Sequence, residues 1–414
     1  MPESRRPAWL TAPILAVSAL SIASGIAQFG VTAVIGDVAA HFGDVNGGGD
    51  LTSQIGMPAT TVGLALALVR LTSLAALPVV AIADRYGRRR VLLGLTVTGL
   101  GLTVVAAAAP SFWWYVALVA IARPALSGIN AVAGVVAAEE TRTRDRSAAI
   151  ALITAAYGLG AGLISVGRGL AGGAASFRVV TAAAILPLLA LPLVARRMRE
   201  PAIAERTIAP VGLPGYVPPG HRRSVFLLSA LSGAIALGTG PAFTYLFVYG
   251  ERVLGVSPLT LSVVVLLAGP AGLIGILAGR AAADRIGRNV AGGVSMALTG
   301  LAVTFAYGGT ASQLIVGYLA AILASSAFAP PTGALGAELV PTRIRATLAG
   351  WVTFAGVLGA VTGIFGFGRL ADATGGFDSA ARTIGVVVAI AAAGFWLLPE
   401  TREVELEDLE TDDA

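Results

Sequence analysis

The chain is a series of long apolar runs cut by short polar seams. Runs fall at residues 9–34, 59–82, 91–109, 112–138, 148–166 and 179–194, and again at 224–249, 260–282, 290–307, 313–335, 346–368 and 383–398. Each is close to the ~20 residues an α-helix needs to cross a hydrocarbon core. The pattern therefore predicts an all-α integral membrane protein of twelve transmembrane helices, helices 1 to 12, in two pseudo-symmetric six-helix bundles. The longest seam, 196–223, carries Pro201, Pro210, Pro214, Pro218 and Pro219 with six arginines. It divides an N-terminal bundle (1–195) from a C-terminal bundle (224–399), and an acidic tail (400–414) follows. The polar leader, with Arg5 and Arg6, precedes an apolar run longer than the ~7–15 residues of a signal-peptide core, so a retained first helix is expected. The seam at 41–57, with Gly47, Gly48, Gly49 and Asp50, reads as a mobile outer loop.

Composition narrows the chemistry. The chain is 56% hydrophobic and 12% charged, whereas a soluble domain carries about 25% charge. It has no cysteine, and its two histidines, His41 and His221, fall in predicted loops. Disulfides and thiolate metal sites are excluded, and no metal, cofactor or nucleophile–base set is expected. All 28 basic residues are arginines. With the N-terminus placed inside, 21 fall in interior segments and five in outer loops. That asymmetry predicts two cytoplasmic termini and argues against reading the high pI as nucleic-acid binding.

The seams repeat. Asp84-Arg85-Tyr86-Gly87-Arg88 returns as Asp284-Arg285-Ile286-Gly287-Arg288, and Glu139 with Arg146 returns as Glu338 with Arg345. The first repeat resembles the loop between the second and third helices of major facilitator superfamily transporters. Glu338-Leu339-Val340-Pro341-Thr342-Arg343-Ile344-Arg345 resembles the E-x-x-P-x-x-x-R loop of the sugar-porter and metabolite/proton-symporter branches, although the first copy has Arg142 in place of the proline. Pro399-Glu400-Thr401-Arg402 resembles their P-E-T-[KR] tail, and Glu200-Pro201 is a fainter partner. The glycine four residues before the aspartate is Val80 in one copy and Arg280 in the other. The resemblance implies a cytoplasmic gating set of Asp84, Arg85, Gly87, Arg88, Glu139, Arg146, Asp284, Arg285, Gly287, Arg288, Glu338 and Arg345. In it Asp84 caps helix 11 and the arginines pair with Glu139, Glu140 or Glu338. Arg89 and Arg90 read as topology signals that meet lipid headgroups.

Two arginines, Arg70 and Arg123, fall mid-helix, where a charge costs at least ~2.5 kcal/mol unless compensated. Arg123, Ser127, Asn130 and Gly134 make one polar stripe of helix 4. No acid falls at mid-depth of any run; Asp37, at the outer end of helix 1, comes nearest. Two unneutralised cations suit an anionic substrate, although Arg123 also fits the structural helix-4 arginine of many superfamily members. Family geometry adds Gln28, Tyr157 and Tyr245 as substrate contacts, with Thr244, Tyr249 and Trp351 as further candidates. Gly275-xxx-Gly279 and Gly359-xxx-Gly363 predict close helix packing, and Gly269-Pro270 and Pro330-Pro331 predict bends. Helix 5 lacks the G-P-x-x-x-G-G pattern of drug antiporters. The favoured reading is a monomeric secondary transporter in a bacterial inner membrane, taking up a small organic anion with protons by alternating access. Its partners are then the substrate, protons and membrane lipids. A drug or metabolite exporter and a transport-inactive sensor are the alternatives.

Overall fold

A computed structural model of the chain describes residues 10–46, 48–142, 145–170, 177–198 and 214–401, without the side chains of residues 80, 81, 84 and 147. The leader with Arg5 and Arg6, Gly47, most of the linker with Glu200-Pro201, and the tail from Arg402 lie outside the described residues. Among those described, twelve helices are long and apolar enough to cross a membrane. They are Ala12–Phe42, Ala59–Ala76, Arg88–Ala106, Phe112–Glu139, Ala148–Leu170 and Phe177–Arg197, then Pro219–Thr244, Pro258–Ile286, Arg288–Ala306, Ala311–Glu338, Thr342–Thr374 and Phe377–Leu397. They answer the twelve apolar runs in order. The leucines of helix 6 (Leu186, Leu189, Leu193) and of helix 8 (Leu273, Leu277) are exposed, as lipid-facing side chains must be.

Local chemistry explains where the elements depart from the sequence pattern. Helix 1 continues past residue 34 to Phe42 because the charge of Asp37 is met by Arg168 of helix 5, Nη2 to Oδ2 2.7 Å. His41 therefore lies in the last turn of a helix and not in a loop. The loop that follows is partly ordered: Asp50 caps a short helix, Leu51–Ile55, which Gly56 ends at φ 92°. Helix 2 breaks after Thr72 into a 3-10 turn, Ser73–Ala76, and restarts as Val79–Tyr86 behind Pro78. Helix 10 bends where Pro330 and Pro331 enter the first turn of its second segment, a position that has no N–H to lose. Pro270, by contrast, leaves helix 8 continuous over 29 residues; one missing hydrogen bond is absorbed when neighbouring turns are held.

Glycine seams do that holding. A Cβ on Gly275 or Gly279 would overlap the Leu323 or Ala327 carbonyl of helix 10. On Gly359 or Gly363 of helix 11 it would overlap the Gly233 or Leu237 carbonyl of helix 7, and on Gly25 of helix 1 the Tyr157 carbonyl of helix 5. Close backbone approach replaces the hydrophobic drive that lipid removes.

The chain forms two compact units. One unit gathers most of helix 1, helices 3 to 6, helix 2 from Thr72 onwards and the opening of helix 8, Pro258–Leu266. The other gathers helices 7 and 9 to 12, the rest of helix 8, and Ala39–Leu71, which includes the first part of helix 2. In this second unit Tyr245, Tyr249, Tyr307, Phe367 and Phe377 form one aromatic cluster.

Candidate functional site

At the arginine-rich ends of the helices, the repeated Asp-Arg-x-Gly-Arg seam is a single residue wide. Gly87 lies at φ 91° and Gly287 at φ 97°, each joining one helix directly to the next. Only glycine takes that conformation without strain. The turn then aims the following arginine. Arg88 Nη2 donates to Glu139 Oε1 at 2.6 Å, with both side chains largely buried, and Arg288 Nη2 donates to Glu338 Oε1 at 3.1 Å. Each pair joins two residues of the same bundle, so each braces that bundle's own end.

The second copy has a further layer. Thr401 Oγ1 donates to Glu338 Oε2. Glu400 Oε1 accepts from Arg288 N (2.9 Å) and its Oε2 from Asn289 N (3.0 Å), capping helix 9 at its positive end. The P-E-T motif was legible in the sequence; its role as a helix cap was not. Arg146 and Arg345 reach only backbone carbonyls, those of Ala138 and Val340, and neither makes an ion pair among the described residues. Arg89, read as a topology signal, donates to Ala195 O in the last turn of helix 6. Arg85, Asp284 and Arg285 are exposed, and the side chain of Asp84 lies outside the described residues.

The mid-span candidates are held differently. Arg70 is half-buried just before the 3-10 turn that interrupts helix 2, and Arg123 is half-buried on helix 4. Both residues interact with their surroundings, as a charge at that depth must. Gln28 and Asn130 meet on one hydroxyl: Gln28 Nε2 and Asn130 Nδ2 donate to Ser24 Oγ at 2.7 and 2.9 Å. Ser24 in turn donates to Leu126 O at 2.8 Å. Gln28 is buried and its bond stays within helix 1, so Ser24 and Asn130 are the residues that brace helix 1 against helix 4; Asn130 Oδ1 is buried with no hydrogen-bond partner. Ser24 was missed in the sequence because a serine in an apolar run carries no pattern of its own.

Tyr157 is half-buried on the seam between helices 1 and 5. Tyr245 is fully buried, and its hydroxyl donates to the carbonyls of Ala59 (3.2 Å) and Ile364 (3.4 Å). In this arrangement its hydroxyl is engaged by the backbone of helices 2 and 11. Thr244 donates to Gly240 O, Tyr249 accepts from Gly309 N, and Trp351 Nε1 donates to Gly215 O.

At the arginine-poor ends, three unanticipated contacts stand out. Asp372 of helix 11 accepts from Ala59 N (2.9 Å), Thr60 N (2.7 Å) and Thr60 Oγ1 (2.6 Å), capping helix 2. Ser262 Oγ of helix 8 lies 2.5 Å from Ser165 O of helix 5 and 2.7 Å from Pro258 O. The third is the Asp37–Arg168 pair, in which Arg168 is almost wholly buried. Within the second unit, a cavity of about 450 Å³ opens between the arginine-rich ends of helices 7, 10 and 11, with Arg345 in its lining.

Comparison with known proteins gives a consistent picture. A family profile described as Major Facilitator Superfamily matches residues 15–294, and one described as Sugar (and other) transporter matches residues 220–412. A relative from Cupriavidus pinatubonensis, described as a probable 4-methylmuconolactone transporter, is 26% identical over 381 residues, 86% of this chain and 88% of the relative. The inward-facing, unoccupied structure of a bacterial homolog to the human lysosomal transporter Spinster is similar with a TM-score of 0.75 at 16% identity, covering 95% of this chain and 98% of that one. The inward open xylose transporter XylE from E. coli gives 0.73 at 16% identity, covering 96% and 99%. At such identities structural similarity speaks for the fold alone.

Proposed function

The chain belongs to the Major Facilitator Superfamily, and from that premise we propose that it carries a small organic anion into a bacterial cell together with protons, as a monomer with both termini in the cytoplasm. It is a multi-pass membrane protein and a secondary transporter of a small organic solute, working by alternating access; it is not an enzyme. The observation that carries the anion is the placement of Arg70 and Arg123 in mid-span, against acids that fall at span ends: Asp37, Glu139, Glu338, Asp372 and Asp378. A guanidinium fork binds a carboxylate through two parallel hydrogen bonds. The unpartnered Asn130 Oδ1, on the same stripe of helix 4 as Arg123, offers an acceptor to a hydroxyl. The description of the Cupriavidus relative fits this class, since muconolactones carry a carboxylate.

For the coupling ion, the supporting feature is Asp37, a carboxylate inside helix 1 beside a buried arginine. For orientation it is the arginine asymmetry. The test is uptake of labelled 4-methylmuconolactone or benzoate into proteoliposomes under an imposed gradient, acid outside. Accumulation that a protonophore abolishes, and that Arg70→Gln and Arg123→Gln lose, is the expected result. Export of lipophilic cations, with normal uptake in both variants, would overturn it.

A further inference from the structure

Arg345 has lost the partner its motif leads one to expect. The matching acid of the motif, Glu338, is engaged by Arg288 on one oxygen and Thr401 on the other. Arg345 is tethered only through Nε, 3.4 Å from Val340 O, and its two terminal nitrogens make no hydrogen bond among the described residues. It is half-buried, and it lines the 450 Å³ cavity between helices 7, 10 and 11. Ligand pockets for small molecules run from ~300 to ~1,000 Å³ and are mostly apolar with a few polar anchors. This cavity has that character: Leu228, Phe328, Leu348 and Val352 line its body, and Ser232 and Thr332 contribute hydroxyls. Both hydroxyls already donate to carbonyls, Ser232 to Val352 O and Thr332 to Phe328 O, so they face a ligand as acceptors.

Space is also provided. Gly333 lines the cavity, and a Cβ built on it meets nothing within 4 Å. Unlike the glycines of the helix seams, it is not required for backbone contact. It leaves room that a ring or a branched chain can fill.

We infer that this cavity is a second anion subsite, distinct from the mid-span arginines, which takes an amphipathic carboxylate with its apolar or aromatic body in the cavity and its carboxylate on Arg345. The inference rests on the proposed transport of organic anions. In the proposed orientation the subsite lies at the cytoplasmic end of the C-terminal bundle, where a substrate leaves for the cell interior.

The test is calorimetric titration of the detergent-purified protein with phenylacetate and with its uncharged isostere phenylacetamide. Arg345→Gln, Gly333→Phe and Arg70→Gln are titrated in parallel. Gly333→Phe fills the cavity from a position with open space, and replacing a helical glycine favours the helix; unchanged thermal unfolding confirms that it folds. The expected result is phenylacetate binding weakened about tenfold or more in both Arg345→Gln and Gly333→Phe, with phenylacetamide bound poorly throughout. Wild-type affinity in those two variants, with loss in Arg70→Gln, overturns the subsite and leaves the proposed transport standing. Equal binding of the acid and the amide overturns the role of Arg345. If the wild-type protein binds neither phenylacetate, benzoate nor 4-methylmuconolactone, the subsite and the anion reading fall together.

Discussion

The carboxylate of Asp372 sits on the first turn of helix 2, accepting from the backbone N–H of Ala59 and from both the N–H and the hydroxyl of Thr60. Helix 2 belongs to the first sequence half and helix 11 to the second. The cap therefore joins residues from both sequence halves within the second unit, and any movement that draws helix 11 away from the start of helix 2 must break it. Asp372→Asn removes the charge that faces the helix dipole, and such caps contribute ~0.5–2 kcal/mol. The native chain lacks cysteine, so a single Ala59→Cys reporter, fully buried in this state, reads the opening directly. Asp372→Asn in that background should raise labelling by a membrane-impermeant maleimide roughly three- to thirtyfold. An unchanged rate would remove the cap from the conformational balance.

The two buried ends of the arginine-rich face make a second prediction. Arg88 and Glu139 form a largely buried pair, and removing one member leaves a charge without its partner, at a cost of ~3–5 kcal/mol where burial is complete. Glu139→Leu alone should lower the unfolding temperature in detergent, and Arg88→Met with Glu139→Leu should recover part of the loss. A double variant that unfolds as early as the sum of the singles would show that the two residues are not coupled.

How far these contacts could be read from the sequence depends on the distance to their partners. Arg88–Glu139 and Arg288–Glu338 were legible because the same spacing occurs twice, and a repeat identifies both members at once. Asp372 was not: Ala371-Asp372-Ala373-Thr374 reads as any acid at a helix end, and its partner lies 312 residues away in the chain. The break in helix 2 was hidden for another reason. Ser73-Leu74-Ala75-Ala76 is apolar and helix-compatible, and only Pro78 signals that backbone bonding changes there. The surroundings of Tyr245 were not legible, because an aromatic residue late in helix 7 suits a cavity or a core equally well until its hydroxyl is seen on two backbone carbonyls.

Glycine substitution separates packing from flexibility. In helix 11, a Cβ on Gly363 would overlap the Leu237 carbonyl, whereas on Gly366 it meets nothing within 4 Å. Gly363→Ala should therefore destabilise the protein by ~1–3 kcal/mol, since a tightly packed seam has to open. Gly366→Ala should leave stability unchanged or slightly raised. Thermal unfolding of the two variants side by side checks the pair; equal melting would show that the seam between helices 7 and 11 tolerates a methyl group.

Acid should loosen the loop after helix 1. Ser53 donates to Asp50 through its hydroxyl (2.5 Å) and its backbone N–H (3.3 Å), and these bonds hold the Asp50 carboxyl below its usual pKa. A carboxylate depressed in the folded state contributes stability above its unfolded value, ~3.9, and loses it as the pH falls through the folded value. Amides 51–55 should keep their hydrogen-exchange protection at neutral pH and lose it below about pH 4. Asp50→Ala should abolish that pH dependence, and protection persisting in strong acid would show that the cap does not hold the short helix.

The last prediction concerns Asp37 and Arg168. Arg168 is almost wholly buried and its Nη2 lies 2.7 Å from Asp37 Oδ2. Close by in the same unit, Ser262 of helix 8 meets the Ser165 carbonyl, and a Cβ on Gly169 would crowd the Leu259 backbone. Helix 8 thus lies against helix 5 next to the pair. Arg168 meets the Asp37 carboxyl through both Nε and Nη2. Asparagine at this position keeps the size of the side chain and removes the charge that meets Arg168. In proteoliposomes, Asp37→Asn should lose accumulation driven by a pH gradient while keeping exchange of labelled for unlabelled substrate at equal pH on both sides. Gradient-driven accumulation in Asp37→Asn would assign the pair to bracing helices 1 and 5. Loss of both activities would mean that the pair is needed for substrate binding or folding, which intact thermal unfolding of the variant then tells apart.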